Sequence, residues 1–102
     1  MACPDEGVLK TWLHALSDLN VRVKPMFGCY CVYVDDCLVG WLSERAFSLR
    51  EVGLDSLPSD LRRPQPTDRI REIVIPLDLY AAPWLARAVQ DTADVLNAQK
   101  KR

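Results

Sequence analysis

Residues 29–34 (CYCVYV) and 37–43 (CLVGWLS) are dense in β-branched and aromatic side chains, and only Asp35-Asp36 separates them. Two such runs joined by a two-residue turn former specify a β-hairpin. Around it, residues 21–27 read as a strand interrupted by Pro25, and residues 46–51 (AFSLRE) as a further strand after Ser43-Glu44-Arg45. The stretch is therefore an antiparallel meander. A tight turn at Asp35-Asp36 predicts the pairs Val34 with Cys37, Val32 with Val39 and Tyr30 with Trp41, six side chains on one face. The opposite face then carries Cys29, Cys31, Tyr33, Leu38, Leu42, Phe47 and Leu49. An antiparallel sheet with one side in water alternates apolar with polar residues; here both faces are apolar. One face is expected against helices. The other needs a further helix, a long segment or a second subunit.

The flanks supply the helices. Pro4, Asp5 and Glu6 suit a first helical turn, where proline loses nothing and acids meet the positive end of the dipole. Val8, Leu9, Trp12, Leu13, Leu16 and Leu19 then recur at helical spacing, with Lys10, His14, Ser17 and Asp18 opposite. A second helix is expected from about Ala82, with Pro83 in its first turn. It turns Trp84, Leu85, Ala88, Val89, Thr92, Val95 and Leu96 inward. Residues 52–69 read as loop with at most a short helix near residues 58–63, and residues 70–75 (IREIVI) as a strand stopped by Pro76. A chain of 102 residues fits one domain. The expected class is α+β over residues 1–102: two layers, an antiparallel sheet (meander plus one later strand) packed by N- and C-terminal helices.

Thirteen Lys and Arg against fourteen Asp and Glu leave a formal net charge of −1, which offers nucleic acid no general attraction, because such binding draws on neutralised phosphates. The basic concentrations are Arg62, Arg63, Arg69 and Arg71, diluted by Asp55, Asp60, Asp68 and Glu72, and the tail Lys100, Lys101 and Arg102, which suits a helix C-terminus. A DNA-contacting adaptor is thus the weakest functional reading. No apolar run reaches the length of a membrane span, and the opening MACPDEGVLK has acids where a secretory signal has a basic head. A cytoplasmic location is expected, with the four cysteines as thiols.

Cys29-x-Cys31, with Cys37 nearby, is the sharpest chemical feature. Soft thiolates suit zinc or copper(I), and zinc wants four ligands. Alternation places Cys29 and Cys31 on one face and Cys37 on the other, and only a bulge at the turn would bring the three together. Cysteine as a small buried hydrophobe is the preferred reading. A thiol or metal site at Cys29 and Cys31 is the alternative, and no cofactor is expected. His14 is the single histidine, and a Cys–His nucleophile would need a cysteine beside it and a third group to orient it. Asp35 and Asp36 are turn formers first. Gly28 and Gly40 are isolated, marking a bend and a close approach. Trp12, Trp41 and Trp84 read as core anchors. No catalytic constellation emerges, and the chain is read as a non-enzyme.

The ordered landmarks Lys24-Pro25-Met26-Phe27-Gly28, Tyr30, Tyr33-Val34-Asp35, Phe47-Ser48-Leu49-Arg50 and Ile73-Val74-Ile75-Pro76 resemble those of the TfoX N-terminal domain family, over roughly residues 8–100. The family motif falls on Met26, Phe27, Gly28 and Tyr30. Its later glycines are replaced here by Cys29, Cys31 and Asp36 or Cys37. The resemblance implies a two-layer domain of helices on an antiparallel sheet, and an accessory role in gene regulation. The namesake proteins promote competence genes with the cyclic-AMP receptor protein, and many relatives are stand-alone domains. The expected function is a non-enzymatic protein-binding module that engages a second copy or another protein through Cys29, Cys31, Tyr33, Leu38, Leu42, Phe47 and Leu49.

Overall fold

The computed structural model describes residues 5–26, 28–54, 57 and 72–100. Their elements are α1 (Glu6–Ala15), β1 (Val21–Met26), β2 (Cys29–Val34), β3 (Cys37–Leu42), β4 (Ala46–Arg50), β5 (Glu72–Pro76), a 3-10 turn at Leu77–Ala81, and α2 (Leu85–Lys100). The strands hydrogen-bond in the order β1-β2-β3-β4-β5, every neighbour antiparallel. This is the expected α+β arrangement, an open meander with a helix from each flank. The start of the second helix differs from expectation. The chain spends Leu77–Ala81 in the 3-10 turn, so α2 begins at Leu85 and Pro83 precedes it. The residues 58–63 expected to hold a short helix lie outside the described residues, as do Cys3, Phe27 and the arginines from Arg62 to Arg71.

The β2–β3 turn forms as the aspartates require. Asp35 and Asp36 have φ of 51° and 64°, the doubly left-handed turn whose twist matches the flanking strands. The Asp35 amide donates to the Asn20 carbonyl at 3.1 Å, and its carboxylate accepts from the Gln90 side chain of α2 at 2.8 Å, tying the hairpin tip to the helix. Asp36 instead meets Arg22 at 3.1 Å with both side chains about three-quarters exposed, so the pair contributes little. A left-handed φ costs an ordinary side chain roughly 1–2 kcal/mol, and glycine's extra freedom when unfolded returns about 0.4–1 kcal/mol. Asp36→Gly is therefore expected to raise stability by about 0.5 kcal/mol. It should show as a higher urea midpoint at unchanged slope.

Both helices pack on one face. α2 crosses β3 and β2, while α1 lies against the 3-10 turn and sets Trp12 on Phe47, ring centroids 5.2 Å apart and tilted by 54°. Val32, Val34, Cys37, Val39, Leu42, Phe47, Leu49, Ile73 and Ile75 form one buried core with Trp12, Leu16, Leu85, Ala88, Val89 and Ala93. Thr92 is buried among them, its hydroxyl donating to the Ala88 carbonyl at 2.9 Å.

The hairpin register departs from expectation beyond its tip. Val34 faces Cys37 and Tyr33 faces Leu38, but Val32 then faces Gly40, Cys31 faces Trp41 and Tyr30 faces Leu42. Val39 is an extra residue, a β-bulge, and two neighbours at a bulge (here Val39 and Gly40) share a face. The expected pairs Val32–Val39 and Tyr30–Trp41 are thereby replaced. From Gly40 onward the alternation is inverted, so Leu42 turns into the core and Trp41 turns out. Gly40 also lets β4 come close. A Cβ there would run into the Ser48 carbonyl oxygen and lie 3.0 Å from Phe47 Cε1.

Candidate functional site

The side of the sheet turned away from both helices is built by alternation and register. Arg22, Lys24 and Met26 of β1 lie opposite Tyr33, Cys31 and Cys29 of β2. Tyr33 and Cys31 in turn lie opposite Leu38 and Trp41 of β3. Trp41 continues to Ser48 of β4, and Ser48 to Val74 of β5. One row therefore runs Lys24–Cys31–Trp41–Ser48–Val74 across all five strands, and a parallel row runs Arg22–Tyr33–Leu38. Cys31 is buried, Tyr33, Leu38 and Trp41 are half-buried, and Met26 and Val74 are exposed. The centre is apolar, the β1 edge carries two cations, and the β5 edge carries Glu72.

Four of the seven residues expected on this face come together there: Cys29, Cys31, Tyr33 and Leu38. Leu42, Phe47 and Leu49 do not. They are 2%, 1% and 0% exposed and belong to the helix-packed core, because the bulge at Val39 puts Leu42 in phase with Phe47. Of the motif residues, Met26 joins the outer face, Tyr30 packs against the core, and Gly28 takes φ 72° at the β1–β2 turn. The additional members are Trp41 and Val74. Trp41, expected as a core anchor, instead faces outward, and the sequence signal for this is Gly40, since glycine inside a strand marks a bulge.

The thiols separate as alternation requires. Cys31 lies on the outer face and Cys37 in the core. The Cys31 thiol donates to the Met26 thioether at 3.1 Å. Among the described residues no three of His, Cys, Asp and Glu are grouped to hold a metal ion. Arg50 reaches from β4 to donate to the Leu38 carbonyl at 3.2 Å, covering one end of the face.

A concave region lies beside α1. One groove of about 530 Å³ is lined by Lys10, His14, Tyr80 and Leu85 among others, and a second of about 360 Å³ shares Thr11 and Tyr80 with it. Trp12 borders the second, and its indole N–H is buried with no hydrogen-bond partner among the described residues. Among the described residues no cysteine lines either groove beside His14. No described helix is long and apolar enough to cross a membrane. Compared with known proteins, the chain matches no family model, no curated protein and no solved structure.

Proposed function

We propose that this chain is a non-enzymatic protein-binding module that pairs with a second copy of itself, outer sheet face to outer sheet face. The observation that carries the reading is the apolar centre Cys31, Tyr33, Leu38 and Trp41, over which no described helix or strand lies. Tyr33, Leu38 and Trp41 stand half-exposed around the buried Cys31, with Met26 and Val74 exposed beside them. A contiguous apolar patch rimmed by polar residues marks an interaction site, and Trp, Tyr, Met and Arg are the residue types enriched at interfaces. Charge favours a copy of the same chain. A two-fold axis parallel to the strands would lay β1 of one protomer over β5 of the other, setting Arg22 against Glu72 twice over. Stacked sheets would interdigitate the four central side chains at the usual separation of about 10 Å. The likeness of Met26, Gly28, Tyr30 and the later landmarks to the TfoX N-terminal family supports placing the module in the cytoplasm as an accessory to transcription.

The test is the association state. Sedimentation of the reduced protein is expected to show a concentration-dependent dimer. Trp41→Asp is expected to weaken it by at least about 2 kcal/mol, the scale of an interface hot spot, while leaving the far-ultraviolet circular dichroism unchanged. A wild-type chain still monomeric at about 1 mM would sink the reading, since contacts worth only about 4 kcal/mol register there.

A further inference from the structure

We infer that Met26, Cys29 and Cys31 form a three-sulfur site for a soft monovalent ion, copper(I), at the β1 edge of the outer face. Three observations converge on it. The β1–β2 register sets Met26 directly across from Cys29, and alternation puts Cys31 on the same side as both. The Cys31 Sγ and Met26 Sδ atoms are already in contact at 3.1 Å. Lys24 lies directly across from Cys31, so an ammonium flanks the thiols.

The donor set decides the ion. Zinc asks for four ligands, and thiolate with thioether is the combination that selects copper(I). Binding is balanced by charge: two thiols each release a proton, the thioether stays neutral, and the Cu(I) complex carries one negative charge beside the Lys24 ammonium. Cys31 is 3% exposed and Met26 is 55% exposed, so the site has one dry wall and one sulfur free to swing over an entering ion. The copper must arrive already reduced; no electron transfer is part of the step.

The reduced, full-length chain is titrated anaerobically with Cu(I) held by a competing chromogenic chelator. One ion per chain is expected, with two protons released and a sulfur-only shell in X-ray absorption. Cys29→Ala and Cys31→Ala should each weaken binding at least about 100-fold, and exposed Met26→Leu about 10-fold, set against the 10–100-fold typical of losing an outer-shell partner. Because Cys31 is buried, Cys29→Ala and Met26→Leu carry the test where core packing is not at issue. Stoichiometric copper retained by Cys29→Ala, undiminished binding in Met26→Leu, one ion shared between two chains, or equal affinity for zinc(II) would each overturn the assignment.

Discussion

Replacing Gly40 with alanine is expected to cost the fold about 3 kcal/mol, the upper end of the overpacking range. The glycine sits just after the bulged Val39, paired with Val32 on one side and Leu49 on the other. A methyl group there would strike the Ser48 carbonyl oxygen, with Phe47 Cε1 at 3.0 Å and Leu49 Cα at 3.2 Å. Two of those three atoms are backbone, so the clash is not relieved by turning a side chain. β4 must move off β3, which disturbs the β3–β4 ladder and the seating of Phe47 under Trp12. In a domain of ordinary stability, about 5–15 kcal/mol, that is a large share. For a chain near 100 residues it lowers the melting temperature by roughly 10–20 °C. A melting temperature within a degree or two of wild type would mean that β3 and β4 are not this close, and that the bulge is misplaced.

The same bulge marks where the sequence stops being legible. Helices were readable because their apolar stripes repeat at 3.6 residues, and the hairpin tip because two aspartates tolerate left-handed φ. Register beyond the tip was not, for a physical reason. Slipping a strand by one residue flips every side chain, and the slip is detectable only if the two faces differ in polarity. β2 and β3 are apolar on both faces, so Trp41 and Leu42 are equally plausible inward. The information that separates them lies one strand further on. In β4, Phe47 and Leu49 alternate with Ser48 and Arg50, and β5 places Ile73 and Ile75 between Glu72, Val74 and Pro76. Those strands identify their own core face, and pairing of Leu42 with Phe47 carries the choice back to β3. The sulfur cluster was illegible for a related reason. Met26 and Cys31 are separated by the β1–β2 turn, and only the register sets them in contact.

Leu42→Asp and Trp41→Asp, one residue apart, are expected to behave oppositely, and the contrast tests the corrected face assignment directly. Leu42 is 2% exposed between Tyr30 and Phe47. Truncating such a leucine alone costs about 2–5 kcal/mol, and an unpaired carboxylate without water adds several more. Among the described residues, the cation nearest in chain is Arg45, which is exposed in the β3–β4 turn. Leu42→Asp should therefore abolish the cooperative urea transition and the near-ultraviolet signal of the Trp12–Phe47 pair. Trp41 stands on the outer face, half-buried, with neighbours Cys31 and Ser48 and no helix above it among the described residues. Its aspartate variant should fold and lose only association. The reverse outcome, a folded Leu42→Asp and an unfolded Trp41→Asp, would restore unbroken alternation through Gly40. It would return Trp41 to the core and move the proposed interface onto Leu42, Phe47 and Leu49. Both variants folding would place neither side chain in the core and would overturn the burial of Leu42 against Phe47.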